Sequence, residues 1–195
     1  MSRFSLNYLG IFFIIISFLS FFNIIYSYYF NLYLNINTYI FTLFTSLIIG
    51  ALLFLFKKKI DKKITIYEKI IIVIIGYILL PIIISIPYYM SIYNISLMDC
   101  YFEAISGFTS TGFTIIDDIK HLDKSLILWR STSQWIGGIY FLFSIVLLID
   151  IFDNNLKKSL TNFISFNTSE VFKQSFKILI LYIILIMIFH LFFFH

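Results

Sequence analysis

The run Ser106-Gly107-Phe108-Thr109-Ser110-Thr111-Gly112-Phe113-Thr114 packs glycine and hydroxyl side chains into one short stretch. Carbonyl oxygens from Thr109 to Gly112, with neighbouring threonine hydroxyls, could replace part of a cation's hydration shell. Gly112 reaches backbone angles closed to other residues, which helps successive carbonyls turn to one side. Ser, Thr and Gly clusters are ordinary loop composition, and most bind nothing. What sets this one apart is its position. Ser96-Leu97-Met98-Asp99 has the form of a capping box, with Ser96 as N-cap, and predicts a helix through Cys100, Phe102, Ala104 and Ile105 towards Gly107. The negative end of that helix's dipole would point at the same carbonyls. Helix, glycine and hydroxyls all favour a positive ion.

The elements that must hold this segment are apolar. Of 195 residues, 61% are hydrophobic and 12% charged, with 25 Phe and 14 Tyr, against about 45–50% apolar and about 25% charged in soluble proteins. This composition is that of an integral membrane protein and excludes a disordered or collagen-like chain. A single cysteine, Cys100, rules out an intrachain disulfide and a cysteine-based zinc site. Five runs have the ~20 apolar residues that a bilayer-crossing helix needs: 8–30, 38–56, 70–90, 126–149 and 175–194. The first carries no small-residue cleavage site and reads as a retained span.

Basic residues set the expected orientation. Arg3 precedes the first run, Lys57, Lys58, Lys59, Lys62, Lys63 and Lys69 separate the second and third, and Lys157, Lys158, Lys173 and Lys177 separate the fourth and fifth. Residues 31–37 carry none. Cytoplasmic loops collect Lys and Arg, so the N-terminus is expected inside. The charge of +4 therefore reads as topology, not as a nucleic-acid footprint; the Lys57–Lys63 cluster would also suit anionic lipid head groups. That parity requires the stretch from Ser91 to Ser125 to stay on one side. It is too polar to cross, and a twelve-residue helix reaches only ~18 Å. A re-entrant hairpin is expected, helix in and irregular chain out, with its non-helical backbone facing protein or water.

Phe102-Glu103-Ala104-Ile105-Ser106-Gly107-Phe108-Thr109-Ser110-Thr111-Gly112, followed by Trp129-Arg130-Ser131 and Gln134-Trp135-Ile136-Gly137-Gly138, resembles the first pore unit of the Trk/Ktr/HKT superfamily of potassium uptake transporters. The resemblance covers roughly residues 66–195, and Leu80-Pro81 with the two preceding spans looks more like the Trk branch. It implies four span-helix-span repeats around one pore, each giving a filter glycine, here Gly112. It further implies an ion filter of Thr109, Ser110, Thr111 and Gly112, and structural support from Glu103, Arg130, Gly137 and Gly138. Ser110 stands where the family commonly has Thr, which keeps the hydroxyl. Tyr140 stands where it often has Gly, which bears on close helix packing.

The resulting expectation is an all-α integral membrane protein with five transmembrane helices plus one re-entrant pore helix and filter loop. Residues 1–63 would form an N-terminal helix pair, 64–150 a first span-pore helix-span unit, 151–174 a cytoplasmic connector, and 175–195 the opening span of an incomplete second unit. One hairpin supplies about a quarter of a carbonyl cage, so a lone copy should not conduct. The chain would be the N-terminal part of a larger pore, completed by the remaining repeats or by other copies of the chain, in the cell membrane. Its expected cargo is K+, with Na+ as the other candidate, and it needs no cofactor. The resemblance also implies a cytosolic nucleotide-binding regulatory subunit as partner. The alternative is a non-conducting membrane subunit or remnant that packs with another chain. No enzyme is expected, since Ser-His-Asp, paired metal-ligand and phosphate-loop patterns are all missing.

Other residues carry weaker readings. Arg130 would either snorkel to the interface or pair with Glu103 or Asp99. Asp117, Asp118 and Asp123 read as a solvated outer loop before a cation-attracting mouth. Pro81 and Pro87 should kink the third span by removing backbone donors. His190 and His195 are spaced poorly for one helix face and read as end-of-span residues, not ligands.

Overall fold

The structure, a computed structural model, describes residues 6–55, 66–116 and 122–148. The Lys57–Lys63 cluster, Asp117, Asp118, residues 151–174 and the expected last span, with His190 and His195, lie outside the described residues. The chain divides into two compact units, 1–148 and 149–195. All regular structure among the described residues is helical. Helix α1 spans Leu6–Tyr29, α2 Ile36–Leu55, α3 Ile66–Ile84, α4 Ile86–Tyr89, α5 Leu97–Phe108 and α6 Lys124–Leu148. Among the described residues, three stretches are long and apolar enough to cross a membrane: Tyr8–Tyr29, Ile36–Leu55 and Tyr67–Tyr89. The fourth expected span is the helix α6, 25 residues and thus about 37 Å long.

Helices α1 and α2 form a hairpin whose contact is small and polar. Thr38, Thr42, Ser46 and Gly50, four residues apart, make one buried stripe on α2, and Gly10 and Gly50 let the two backbones approach. Lipid gives apolar helices no reason to associate, so close van der Waals packing across small residues takes the place of a hydrophobic drive. The stripe hydroxyls bond back along their own helix, Thr42 Oγ1 to the Thr38 carbonyl at 2.8 Å and Ser46 Oγ to that of Thr42 at 2.6 Å. Ser17 crosses over, donating to the Leu43 carbonyl at 3.1 Å. The turn after α1 is a Schellman motif: Leu32 N donates to Ser27 O and Asn31 N to Tyr28 O, with Asn31 left-handed at φ +56°.

Proline interrupts the third span as its chemistry requires. Helix α3 contains Pro81, ends at Ile84 and resumes after Ser85 as the single turn α4, which holds Pro87. Side chains of other helices take carbonyls near the break: the Trp129 indole donates to Ile84 O at 3.0 Å, and the Tyr101 hydroxyl to Ile78 O at 3.3 Å.

The core lies where α1, α3, α5 and α6 meet, and Tyr140 is at its centre, fully buried. Its ring packs edge-on against Phe12 and Tyr77, with centroids at 4.8 and 5.0 Å, and tilted against Phe108 at 5.4 Å. Its hydroxyl reaches the Ile72 and Val73 carbonyls at 3.1 and 3.0 Å. A Cβ on Gly76 would overlap that hydroxyl. The bulk added at 140 is thus received by the missing side chain at 76, and α3 and α6 remain in contact.

Candidate functional site

Helix α5 begins as its capping chemistry predicts. Ser96 is the N-cap with extended backbone, its Oγ accepts from Asp99 N at 3.2 Å, and its hydroxyl donates to Asp99 Oδ2 at 2.6 Å. It ends in a second Schellman motif. Thr111 N donates to Ser106 O at 3.1 Å and Ser110 N to Gly107 O at 3.0 Å, with Ser110 left-handed at φ +56°. Serine occupies the position where glycine is usual, and Gly112 follows two residues later at φ +78°. Two left-handed residues within three positions turn the chain sharply back.

The loop is then fastened at both ends. Below it, a Cβ on Gly137 would overlap the Phe108 carbonyl oxygen and lie 2.5 Å from its carbon, so only glycine at 137 lets α6 meet the last turn of α5. Gly107 meets α6 in the same way, at the Ser133 hydroxyl. A Cβ on Gly138 would meet no atom of another helix within 4 Å among the described residues, so Gly138 takes no part in this contact. Above the loop, Ser106 Oγ donates to the Phe113 carbonyl at 2.6 Å. Between these fastenings, no hydrogen bond among the described residues ends on the carbonyls of Thr109, Ser110, Thr111 or Gly112, and all four residues are exposed. The Thr109 and Thr111 hydroxyls are engaged locally, donating to Ile105 O at 2.7 Å and Ser106 O at 3.2 Å.

Behind the loop lies a buried ion pair. Arg130 Nη1 on α6 is 2.9 Å from Glu103 Oε1 on α5, and Glu103 is 2% exposed. Of the two partners weighed for Arg130, the structure selects Glu103. The second carboxylate oxygen accepts from Thr114 Oγ1 at 3.0 Å and Ile115 N at 3.3 Å. Thr114 Oγ1 also accepts from Arg130 Nη1 at 3.1 Å and from Ile116 N at 3.1 Å. The pair therefore does more than join two helices: through Thr114 it fixes the chain leaving the loop. Low local dielectric makes such a network rigid when satisfied and costly when broken.

At the N-terminus of α6, two turns before Arg130, Asp123 is a helix cap rather than a solvated loop residue. It accepts from Ser125 N at 3.4 Å and Ser125 Oγ at 2.7 Å, and its backbone N–H donates to the Tyr93 hydroxyl at 2.7 Å. Asn35 Nδ2, from the connector between α1 and α2, donates to Asp123 Oδ2 at 3.0 Å, and Asn35 Oδ1 accepts from Ile92 N at 3.4 Å. Thr114, Ser106, Asn35 and Asp123 as structural members of the site were not singled out by composition or spacing. Only Asp123 carried a signal, an N-cap residue directly ahead of an apolar run.

The chemistry on offer is a row of oxygen dipoles at the negative end of a short helix; among the described residues there is no cluster of three or more His, Cys, Asp or Glu that could hold a metal. Comparison with known proteins agrees. The chain is 32% identical over 110 residues to an uncharacterized cation transporter of Methanocaldococcus jannaschii, covering 56% of this chain and 23% of the relative. It is 37% identical over 70 residues to the Trk system potassium uptake protein TrkG of Escherichia coli, covering 35% and 14%, and 29% identical over 99 residues to the TrkH protein of the same organism, covering 50% and 20%. The chain thus spans less than a quarter of the length of these curated relatives. The TrkH family, described as cation transport proteins, matches residues 35–195, so the loop, the ion pair behind it and the helices holding both belong to one multi-pass transporter fold, and this chain is a member of the TrkH cation transport protein family.

Proposed function

We propose that residues 109–112 form one wall of a pore for monovalent cations, potassium foremost, in which main-chain oxygens stand in for part of the ion's water shell. The observation that carries this reading is the row of four exposed carbonyls that accept no hydrogen bond among the described residues, bounded by the Gly137 contact below and the Ser106–Phe113 bond above. Unpaired carbonyls in a membrane are costly unless water, protein or an ion meets them. The C-terminal end of α5 adds a partial negative charge of about half an electron at the same place.

On this reading α1, α2, α3 with α4, and α6 cross the bilayer, α5 enters and returns, and residues 175–194 add a fifth span, with the N-terminus in the cytoplasm. Glu103, Arg130 and Gly137 hold the wall; Gly138 stands beside them without a contact of its own. The remaining walls come from further span-helix-span units or other copies of the chain, and a cytosolic nucleotide-binding subunit meets the inner side. E. coli TrkG and TrkH, Trk system potassium uptake proteins by name, support potassium as the cargo.

The test is Gly112→Ser in the complete pore, read as rubidium uptake against sodium competition in cells lacking other potassium uptake. Losing a residue free to hold φ +78° disturbs the carbonyl row, and preference for potassium over sodium should fall about tenfold. An unchanged ion preference refutes the assignment. Expressed by itself, the wild-type chain should not rescue growth at low potassium; rescue would show that copies of it close the pore unaided.

A further inference from the structure

The bonds around Asn35 give the N-terminal helix pair a task. Asn35 is 1% exposed and joins three outer connections: its own turn, the 90–96 segment through Ile92 N, and the start of α6 through Asp123. One turn further along α2, Tyr39 extends the grip. Its hydroxyl is 3.0 Å from Ser125 Oγ and its ring lies 5.9 Å from that of Trp129. Trp129 is fixed in turn to the Ile84 carbonyl and immediately precedes Arg130. Arg130 holds Glu103 and Thr114, and Glu103 holds Ile115 N.

We propose that Asn35 is a positioning residue for the 109–112 loop: the hairpin of α1 and α2, through Asn35 and Tyr39, sets the axial position of α6, and Arg130 passes that position to the chain leaving the loop. Asp123 is the switchable partner in this link, because a cap carboxylate bonded to an amide tolerates exchange of the two groups but not a second carboxylate. The functional consequence rests on the pore-wall reading above, while the measurement below does not require any ion to move.

Hydrogen exchange of the full chain in nanodiscs tests it. The readout is the set of amides that the loop and its clamp protect: Ser110, Thr111, Ile115 and Ile116. In Asn35→Leu these should exchange about tenfold faster at every pH, after correction for intrinsic rates, as expected for losing a bond to a charged group. In Asn35→Asp two carboxylates meet where an amide and a carboxylate lay 3.0 Å apart. One carboxyl is then held protonated at low pH and bridges to the other, so protection should match wild type near pH 5 and be lost by about pH 8. The exchanged pair, Asn35→Asp with Asp123→Asn, keeps both the bond and a competent cap and should restore protection at both pH values. Faster exchange confined to 30–37, 91–96 and 122–126, with the four loop amides unchanged, overturns the proposal, as does an Asn35→Asp variant without pH dependence. Should Asn35→Leu fail to fold, the pH response of Asn35→Asp and its rescue by the exchanged pair still decide the matter.

Discussion

Alanine at 137 and alanine at 138 are the same chemical change at neighbouring positions, and they should have opposite effects. A Cβ on Gly137 would overlap the Phe108 carbonyl oxygen and lie 2.5 Å from its carbon and 2.8 Å from its Cα, all backbone atoms that no rotamer change can move. Carbon atoms rest about 3.5–4.0 Å apart, so the last turn of α5 must retreat by about 1 Å. A gap of that size forfeits roughly a quarter to a half of the contact energy of the buried Phe108 ring, or about 1–2 kcal/mol of the ~3–5 kcal/mol such a ring supplies. Overpacking strain adds about 1–3 kcal/mol, and the better helix propensity of alanine returns about 1 kcal/mol. The net loss is about 1–4 kcal/mol, a fall in Tm of roughly 2–4 °C per kcal/mol for a unit of this size. A Cβ on Gly138 would meet no atom of another helix within 4 Å among the described residues, so alanine there brings only the propensity gain of up to about 1 kcal/mol. Thermal unfolding of the purified chain in detergent, followed by the fluorescence of Trp129 and Trp135, measures both. Equal stability of the two variants would refute the close approach of α6 to α5 and the fastening of the loop with it.

Four further outcomes follow from the same packing. Glu103→Gln leaves the Arg130 guanidinium without its counter-charge and should cost about 3–5 kcal/mol; replacing both by Met should recover most of it. Thr114→Val should cost about 1 kcal/mol in wild type and little in the double-Met background, a coupling that chemical denaturation of the four variants reads directly. Gly76→Ala should be strongly destabilising because it meets the Tyr140 hydroxyl, whereas Tyr140→Phe costs about 1 kcal/mol and should rescue part of the Gly76→Ala loss, both read as shifts in Tm. Cys100 is fully buried, so maleimide labelling of the folded chain should be slow at pH 7 and become fast on unfolding; rapid labelling at pH 7 would show that the start of α5 is open to water.

Much of the scaffold was legible because its causes are local. Apolar runs predicted α1, α2, α3 and α6 to within a few residues, Ser96 and Asp99 announced the start of α5, and Pro81 and Pro87 marked the interruption of the third span. For Arg130 the sequence offered snorkelling or a pair with Glu103 or Asp99, since charges within apolar segments need partners, and the fold selects Glu103. Their third member was not legible, since Thr114 is one hydroxyl among many in its neighbourhood and only the fold brings its oxygen to both charges. Asn35 and Asp123 lie 88 residues apart, and no local pattern connects them. Gly137 and Gly138 are indistinguishable in a sequence, and only the approach of Phe108 separates them.

Within the hairpin the same distinction runs between groups that found partners and groups that did not. Ser17 reaches the Leu43 carbonyl, but further along the buried face of α1 the side-chain oxygens of Ser20 and Ser27 and both amide atoms of Asn23 have no hydrogen-bond partner among the described residues. Stability alone would favour apolar residues there, because replacing a buried, unpaired polar group by an apolar one of similar shape is neutral or favourable. By contrast, both side-chain polar atoms of Asn35, on the same hairpin, are paired, Nδ2 with the Asp123 cap of α6 and Oδ1 with Ile92 N. The hairpin is thus secured to the rest of the unit by hydrogen bonds at the Asn35 end and along α1 by apolar packing such as Phe12 on Tyr140, an arrangement in which α2 is tied to the start of α6 through Asp123 and Ser125.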